Sequence, residues 1–438
     1  MGARKRTFGT NVRREAARRG DGRTRDTERM TGDPSAHPRS VEDHAGIIAR
    51  MLEPLSEEPD AETVPLEAAL GRVTADEVRS EVDLPLFRNS QMDGYAVRAA
   101  DIRSVPVALE VSGDIPAGHT SPMTLIAGTA LRIMTGAPVP SGADTIVPVE
   151  DTELVLGRDD DLAGAIVEIR RSRRAGEYVR ERGSDVHRGD VLLPAGTRLG
   201  PRHLAALAAA GIASVRVRAR LRVAVLTTGT ELVGSGTPVF GQVYDANGIA
   251  LAALVEEAGA TVSVRASSDD DPAAFERILD DALHRSDLVI TSGGISRGAY
   301  EVVREVLLPH GADVTTVAMQ PGGPQATAVV GGVPVFAFPG NPVSTQVSFV
   351  VFLRDPLRAA AGLPAVPPVE AALSEGLRSV PGKRQFLRGS LDDSGAVSPV
   401  SGPSSHLVAG MARADVLIDV PAEAEALDAG AAVTVWTL

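Results

Sequence analysis

The sequence predicts a multidomain α/β plus β protein: a central α/β domain on a parallel sheet, a small β domain inserted upstream of it, and a strand-rich C-terminal domain. Three observations predict it. Between residues 222 and 357, apolar strand-like runs alternate with helix-like runs, the rhythm of a parallel sheet covered on both faces. From about 97 to 169 the apolar runs are short, separated by Gly and Pro, and helices are scarce. Beyond a proline-rich linker at 364–368, residues 369–438 read as the strands of a small barrel or sandwich.

Each element follows from its pattern. Residues 41–52 show helical apolar spacing, and 65–70 read as a short helix opening on Pro65. Residues 82–89 form a proline-broken loop, and 178–197 hold several Gly-Asp and Pro-Ala-Gly turns. An alanine-rich helix at 201–210 is closed by Gly211. The α/β domain is predicted to have strands at 222–226, 261–265, 287–291, 313–319 and 333–338, and helices at 246–258, 272–284, 301–308 and 342–357. The expected division is a disordered basic tail (1–40), an elongated linker domain (41–96 with 178–220), an inserted β domain (97–177), an α/β domain (221–363) and a C-terminal β domain (364–438). A chain of 438 residues exceeds what one core holds.

Charge and composition exclude several classes. The formal net charge is −13 and aromatic residues make up 3%, against a large nucleic-acid surface or a base-stacking platform. No run approaches a membrane span and no signal-peptide core is visible, so a cytoplasmic protein is expected. With no cysteine there is no disulfide, thiol nucleophile or thiolate metal site. Residues 1–40 hold eleven Arg or Lys against five Asp or Glu, a surplus of six, so the remainder carries −19. That segment is polar and aperiodic and reads as a solvated tail.

The chemistry concentrates at strand ends. SGGISRG (292–298) lies between an apolar run and a helix-like run, and FPGNPVS (338–344) repeats that strand, glycine loop, helix order. Helix N-termini expose unpaired N–H groups, and glycine lets backbone approach a ligand, so both junctions suit an oxyanion. Two of them suggest a long, multiply charged ligand. G-x-S-x-G at 294–298 also matches a nucleophile elbow, and Asp355 and His406 keep the Ser, Asp, His order, so a serine hydrolase using Ser296 is the remote alternative. TTGTEL (227–232) is either a polar strand-to-loop turn or a segment that binds phosphate or a ring, in which Glu231 holds a metal ion or accepts a proton. Asp271 and Pro272 read as a helix cap and first turn, and Asp270 is a candidate Mg²⁺ ligand. His119 and His203 read as surface or packing residues.

Taken together, NSQMDGYAV (89–97), RIMTGAPVP (132–140), GADTIVPVE (142–150), RERGSDV (180–186), PAGTRL (194–199), TTGTEL, GQVYDANG (241–248), SGGISRG and FPGNPVS resemble the molybdopterin molybdenumtransferase family, the MoeA-like and gephyrin E-domain group. The resemblance runs from about residue 41 to the end. It implies four domains, including a molybdopterin-binding α/β domain and a β-barrel-like C-terminal domain, an elongated homodimer, and a site shared between subunits. The implied reaction inserts molybdate into adenylylated molybdopterin with Mg²⁺, releasing AMP and molybdenum cofactor. The implied partners are a molybdopterin adenylyltransferase and molybdoenzyme apoproteins. By motif, Asp93, Thr135, Asp185, Glu231, Asp270 and Glu301 take catalytic positions, with Glu231 and Asp270 on Mg²⁺. Thr228, Gly229, Asn247, Ser292, Gly293, Gly294, Ser296, Gly298, Pro339, Gly340, Asn341, Pro342 and Ser344 take cofactor-binding positions. The chain departs from the family at Thr230, Glu301 and 320–324 (QPGGP), where Gln320 and Gly323 replace two lysines. A specialised paralogue that binds the pterin or delivers cofactor is therefore the second reading.

Overall fold

The computed structural model describes residues 38–57, 60–118, 120–158, 161–296 and 301–438. The basic tail up to residue 37, His119, Arg297 and Gly298 lie outside the described residues. The chain divides into two units, one made of the N-terminal part up to residue 60 with 218–438, the other of residues 61–217.

In the first unit, helix α1 (Val41–Glu57) buries Val41, Ile48, Leu52 and Leu55 in the core that also holds Phe349, Phe352 and Leu353. The sequence reading grouped 41–57 with the elongated domain; its apolar stripe instead covers the α/β domain. That domain runs β1 (Arg222–Thr228), α2 (Ala246–Glu257), β2 (Thr261–Ser268), α3 (Pro272–Arg285), β3 (Leu288–Ser292), α4 (Val302–Leu307), β4 (Asp313–Thr316), β5 (Met319–Gln320), β6 (Pro324–Val330), β7 (Val333–Phe338), α5 (Pro342–Ser348), a π turn (Phe349–Leu353) and α6 (Arg354–Ala360).

The sheet order is β2-β1-β3-β7-β6-β4. β2, β1, β3 and β7 are parallel, as expected. β6 and β4 are antiparallel, so the sheet is mixed. The reason is local. Only Gly331 and Gly332 separate β6 from β7, and a two-residue glycine connection makes a hairpin, whereas a parallel crossover needs a dozen residues or more. Apolar residues fill a core on each sheet face, and every residue of β3 is buried.

The C-terminal domain contains β8 (Val369–Ala372), β9 (Leu377–Arg378), β10 (Arg384–Leu391), β11 (Val397–Pro399), α7 (Val408–Met411), β12 (Val416–Val420), β13 (Ala426–Leu427) and β14 (Ala432–Thr437). Its main sheet runs β5-β10-β12-β14-β8, with β11 on β10. A bridge between Leu373, just past β8, and Val397 of β11 closes the path into a small barrel. Leu373, Val397, Ile418 and Val435 fill its interior.

The second unit centres on a six-stranded sheet, in order Thr145–Pro148, Gly94–Val97, Thr129–Ile133, Val107–Ile115, Asp161–Ile169, Thr152–Arg158. Its central strand needs Gly94, because a Cβ there would lie 2.1 Å from the Val147 carbonyl oxygen. Two-stranded ladders join Asn89–Ser90 to Val179–Arg180, Val78–Arg79 to Val191–Leu193, and Ala61–Pro65 to Ser214–Arg218. The helix predicted at 65–70 is a single 3-10 turn, Leu66–Ala68.

Candidate functional site

In the first unit, β1, β3 and β7 end side by side, and their C-terminal ends carry the two glycine loops. Gly293 has φ +103°, and a Cβ on it would lie 2.6 Å from the Thr228 carbonyl oxygen, so only glycine brings the β3 turn against β1. Its N–H donates to the Phe338 carbonyl at 3.1 Å. The two turns are thereby joined.

Asn247, in the first turn of α2, ties them more firmly. Its Nδ2 donates to the Gly340 carbonyl at 2.7 Å and to Ser292 Oγ at 2.9 Å. The Gly340 carbonyl accepts only, which fixes the amide's orientation. Ser292 Oγ also meets Thr345 Oγ1 at 3.0 Å, and Thr345 donates to the Pro339 carbonyl at 2.6 Å. Asp245 caps α2 through Gly248 N–H and accepts from Thr227 Oγ1 at 2.9 Å. Around this network Thr228 Oγ1, Asn247 Oδ1 and Thr291 Oγ1 are buried with no hydrogen-bond partner. Each such orphan costs about 1–3 kcal/mol unless a ligand or water satisfies it. Two of the three belong to the C-terminal parts of β1 and β3 and the third to the first turn of α2.

Beside the turns lies a cavity of about 380 Å³. Ser296, Asn341 and the buried Ser344 face it from the α/β domain, Gln320 and Gly322 from its edge, and residues 403–406 from the barrel domain. Val343 N–H donates to the Ser405 carbonyl at 3.0 Å and holds the barrel loop at the start of α5. Among the described residues no lysine or arginine lines the cavity, and His406 is its one titratable group. Gln320 Oε1 accepts from Gln385 Nε2 at 2.9 Å, so the Gln320 amide is tied to the barrel.

The carboxylates split by role. Asp270 Oδ2 accepts from Thr230 N–H at 3.1 Å and from its hydroxyl at 2.9 Å, so Asp270 shapes the loop after β1. Asp271 caps α3 by accepting from Ala274 N–H at 3.0 Å, as its sequence context predicts. Glu231 is exposed on the same loop, beside Gly229. Glu301 Oε2 accepts from Ser296 N–H at 2.7 Å, so it braces the SGGIS turn from within. Among the described residues no cluster of three or more His, Cys, Asp or Glu forms a metal cage. Mg²⁺ is commonly held by one or two carboxylates plus substrate phosphates. Glu231 and Asp270 offer two carboxylates of that kind, Asp270 being held against Thr230, next to Glu231.

The proposed triad does not assemble. Ser296 and His406 share the cavity, but Asp355 accepts from Val366 N–H at 3.1 Å, away from its lining.

In the second unit, Asp93 Oδ1 accepts from Thr135 N–H at 2.6 Å and from its hydroxyl at 2.7 Å. These bonds, the backbone one foremost, hold the Asp93 carboxyl below the usual carboxylate range. Asp185 is exposed, with its N–H on the Leu84 carbonyl at 2.9 Å. The strand pair Asn89–Ser90 with Val179–Arg180 links the segments that lead to Asp93 and Asp185. Sequence reasoning missed the contribution of Ser404 and Ser405, because a polar serine loop after a short strand carries no local signal.

Two locked glycine turns, orphaned polar atoms and a hydroxyl-lined cavity on a mixed sheet define an α/β protein with a polar cleft at its strand ends. Comparison with known proteins is more specific. Residues 39–211 match the MoeA N-terminal region (domains I and II), 224–359 a probable molybdopterin binding domain, and 370–438 the MoeA C-terminal region (domain IV). Molybdopterin molybdenumtransferase 2 of Mycobacterium tuberculosis is 44% identical over 91% of this chain and 100% of its own length. The molybdopterin molybdenumtransferase of Nostoc is 40% identical over 74% of this chain and 75% of its own. A solved molybdopterin biosynthesis MoeA protein from Pyrococcus horikoshii superposes with TM-score 0.73 at 32% identity, covering 91% of this chain and 98% of that one. The chain belongs to the molybdopterin molybdenumtransferase (MoeA) family of molybdenum cofactor biosynthesis.

Proposed function

We propose that this chain inserts molybdate into adenylylated molybdopterin with Mg²⁺, releasing AMP and molybdenum cofactor. The observation that carries this is the Asn247 clamp: one amide locks both glycine turns at the sheet's C-terminal edge, with orphaned buried polar atoms beside it. The turns offer N–H donors for the phosphates of the substrate, and Ser296 and Ser344 offer hydroxyls to molybdate. Glu231 and Asp270 would hold Mg²⁺ together with those phosphates. When bound, the ion would supply neutralisation of the negative charge on the phosphoanhydride. Thr230 keeps the Asp270 carboxylate in place, and Glu301 keeps the Ser296 N–H fixed. Asp93, whose carboxyl Thr135 holds below the usual carboxylate range, and Asp185 are catalytic residues carried by the second unit, and the working form is a homodimer in the cytoplasm.

The paralogue reading draws on one observation, that among the described residues no lysine or arginine lines the cavity. The two readings separate in one experiment: purified protein is incubated with adenylylated molybdopterin, molybdate and Mg²⁺, and AMP and active cofactor are measured. AMP released together with cofactor supports insertion. Pterin binding without AMP moves the reading to the paralogue. Gln320→Lys with Gly323→Lys then restores turnover if missing cations are the cause. A Cβ on Gly323 would approach the Val317 carbonyl at 3.3 Å, so the lysine needs only a small shift.

A further inference from the structure

Gln325, the second residue of β6, is only 1% exposed. Its Nε2 donates to the Gly322 carbonyl at 2.7 Å and to Ser348 Oγ at 2.8 Å. The Gly322 carbonyl accepts only, so Nε2 must face it, and Oε1 is left buried with no partner among the described residues. A leucine of similar size would leave no such orphan, so packing alone does not account for an amide here. What the amide holds does account for it. Gly322 lines the cleft, and Ser348 ends α5, the helix whose first turn brings Ser344 into the same lining. Gly322 has φ +105°, and a Cβ on it would lie 3.2 Å from Ser348 Oγ and 3.6 Å from the Ser344 carbonyl oxygen, so the 320–324 turn rests directly on α5. Gly322 N–H donates to no carbonyl or side chain among the described residues. The backbone group of Gly322 that has a protein partner is therefore its carbonyl, and Gln325 is that partner. With no lysine or arginine in the lining among the described residues, an oxyanion in the cleft depends on N–H and O–H donors. A carbonyl oxygen turned towards it would repel it.

We propose that Gln325 is a positioning residue for oxyanion binding in the cleft. It draws the Gly322 carbonyl into the protein and fixes the 320–324 turn against α5, so the turn meets the anion with N–H rather than with oxygen. This rests on the reading of the cleft as the molybdate site. The test is equilibrium dialysis of the full chain against molybdate, with the affinity for adenylylated molybdopterin and thermal unfolding measured on the same preparations. The parent is expected to bind molybdate saturably. Gln325→Leu removes both donors together with the orphaned Oε1. It is expected to weaken molybdate about tenfold while pterin affinity stays within about twofold of the parent. A residue that merely supported the fold would not split the two ligands. Gln325→Met, whose flexible chain fills the same space, shows the same split should Gln325→Leu not fold. Molybdate held by the variants as tightly as by the parent overturns the role of Gln325 and leaves the proposed function standing. A matched loss of molybdate and pterin overturns that role too. A parent that binds the pterin but no molybdate overturns the reading of the cleft, and this role with it.

Discussion

Asn247 reaches across the sheet's edge to Gly340: its Nδ2 lies 2.7 Å from the Gly340 carbonyl oxygen, and the same nitrogen lies 2.9 Å from Ser292 Oγ. One amide therefore sets the separation of two turns that lie nearly fifty residues apart in sequence. Asn247→Ala removes both bonds and leaves the Gly340 carbonyl unfulfilled. Pterin binding is expected to weaken by about tenfold or more, while helix content holds. Unchanged pterin affinity in a binding titration sinks the clamp.

Gly293→Ala places a methyl 2.6 Å from the Thr228 carbonyl oxygen at a backbone φ of +103°. The turn must open, so turnover is expected to vanish and stability to fall by about 2–4 kcal/mol. Thermal unfolding and AMP release measured on the same preparation check both.

Asp270 has two separable duties, bracing Thr230 and carrying charge. Asp270→Asn keeps an oxygen that accepts from Thr230 but loses the charge. The Mg²⁺ concentration for half-maximal rate is expected to rise about tenfold, with unfolding unchanged. If Asp270→Asn needs no more Mg²⁺ than the parent, Asp270 is a structural brace only.

Thr135→Val removes the hydroxyl from Asp93 and keeps the volume. Losing a bond that favours the ionised form raises the Asp93 pKa. If Asp93 works ionised, the acid limb of the rate profile moves to higher pH. An unmoved limb assigns that limb to another group.

His44 gives a pH dependence of stability. It is fully buried, edge-on to Phe352 at 4.9 Å, and its Nε2 has no partner. Burial first, then the Arg39 charge, lower its pKa from 6.5 to about 4. The unfolded chain therefore binds the proton more readily. Stability from this group is full above pH 6.5 and declines as pH falls from 6.5 towards 4, by up to about 3 kcal/mol. His44→Phe is expected to flatten that decline in denaturant midpoints taken across pH 4–7.

Much of this was legible beforehand. The alternation of strand and helix after residue 222, the Asp271 cap, and the two glycine loops carry local signals: period, cap chemistry and punctuation. The β6–β7 hairpin was missed because no strand was assigned at 324–330, where prolines and glycines at 321–324 read as loop, and the stretch was passed over between the strands expected at 313–319 and 333–338. The placement of α1 was missed because an amphipathic stripe reports that a face is buried, not which domain buries it.

The sequence by itself determined the family, the strand-end location of the two glycine turns and the absence of thiol chemistry, since these depend on residue type and short spacing. Only the tertiary structure decided that Asn247 joins the turns at Ser292 and Gly340, that Glu301 and Asp270 brace backbone, and that a serine loop from the barrel domain walls the cavity. Those contacts join residues far apart in the chain, and a side chain's partner across such a separation is fixed by packing rather than by local propensity.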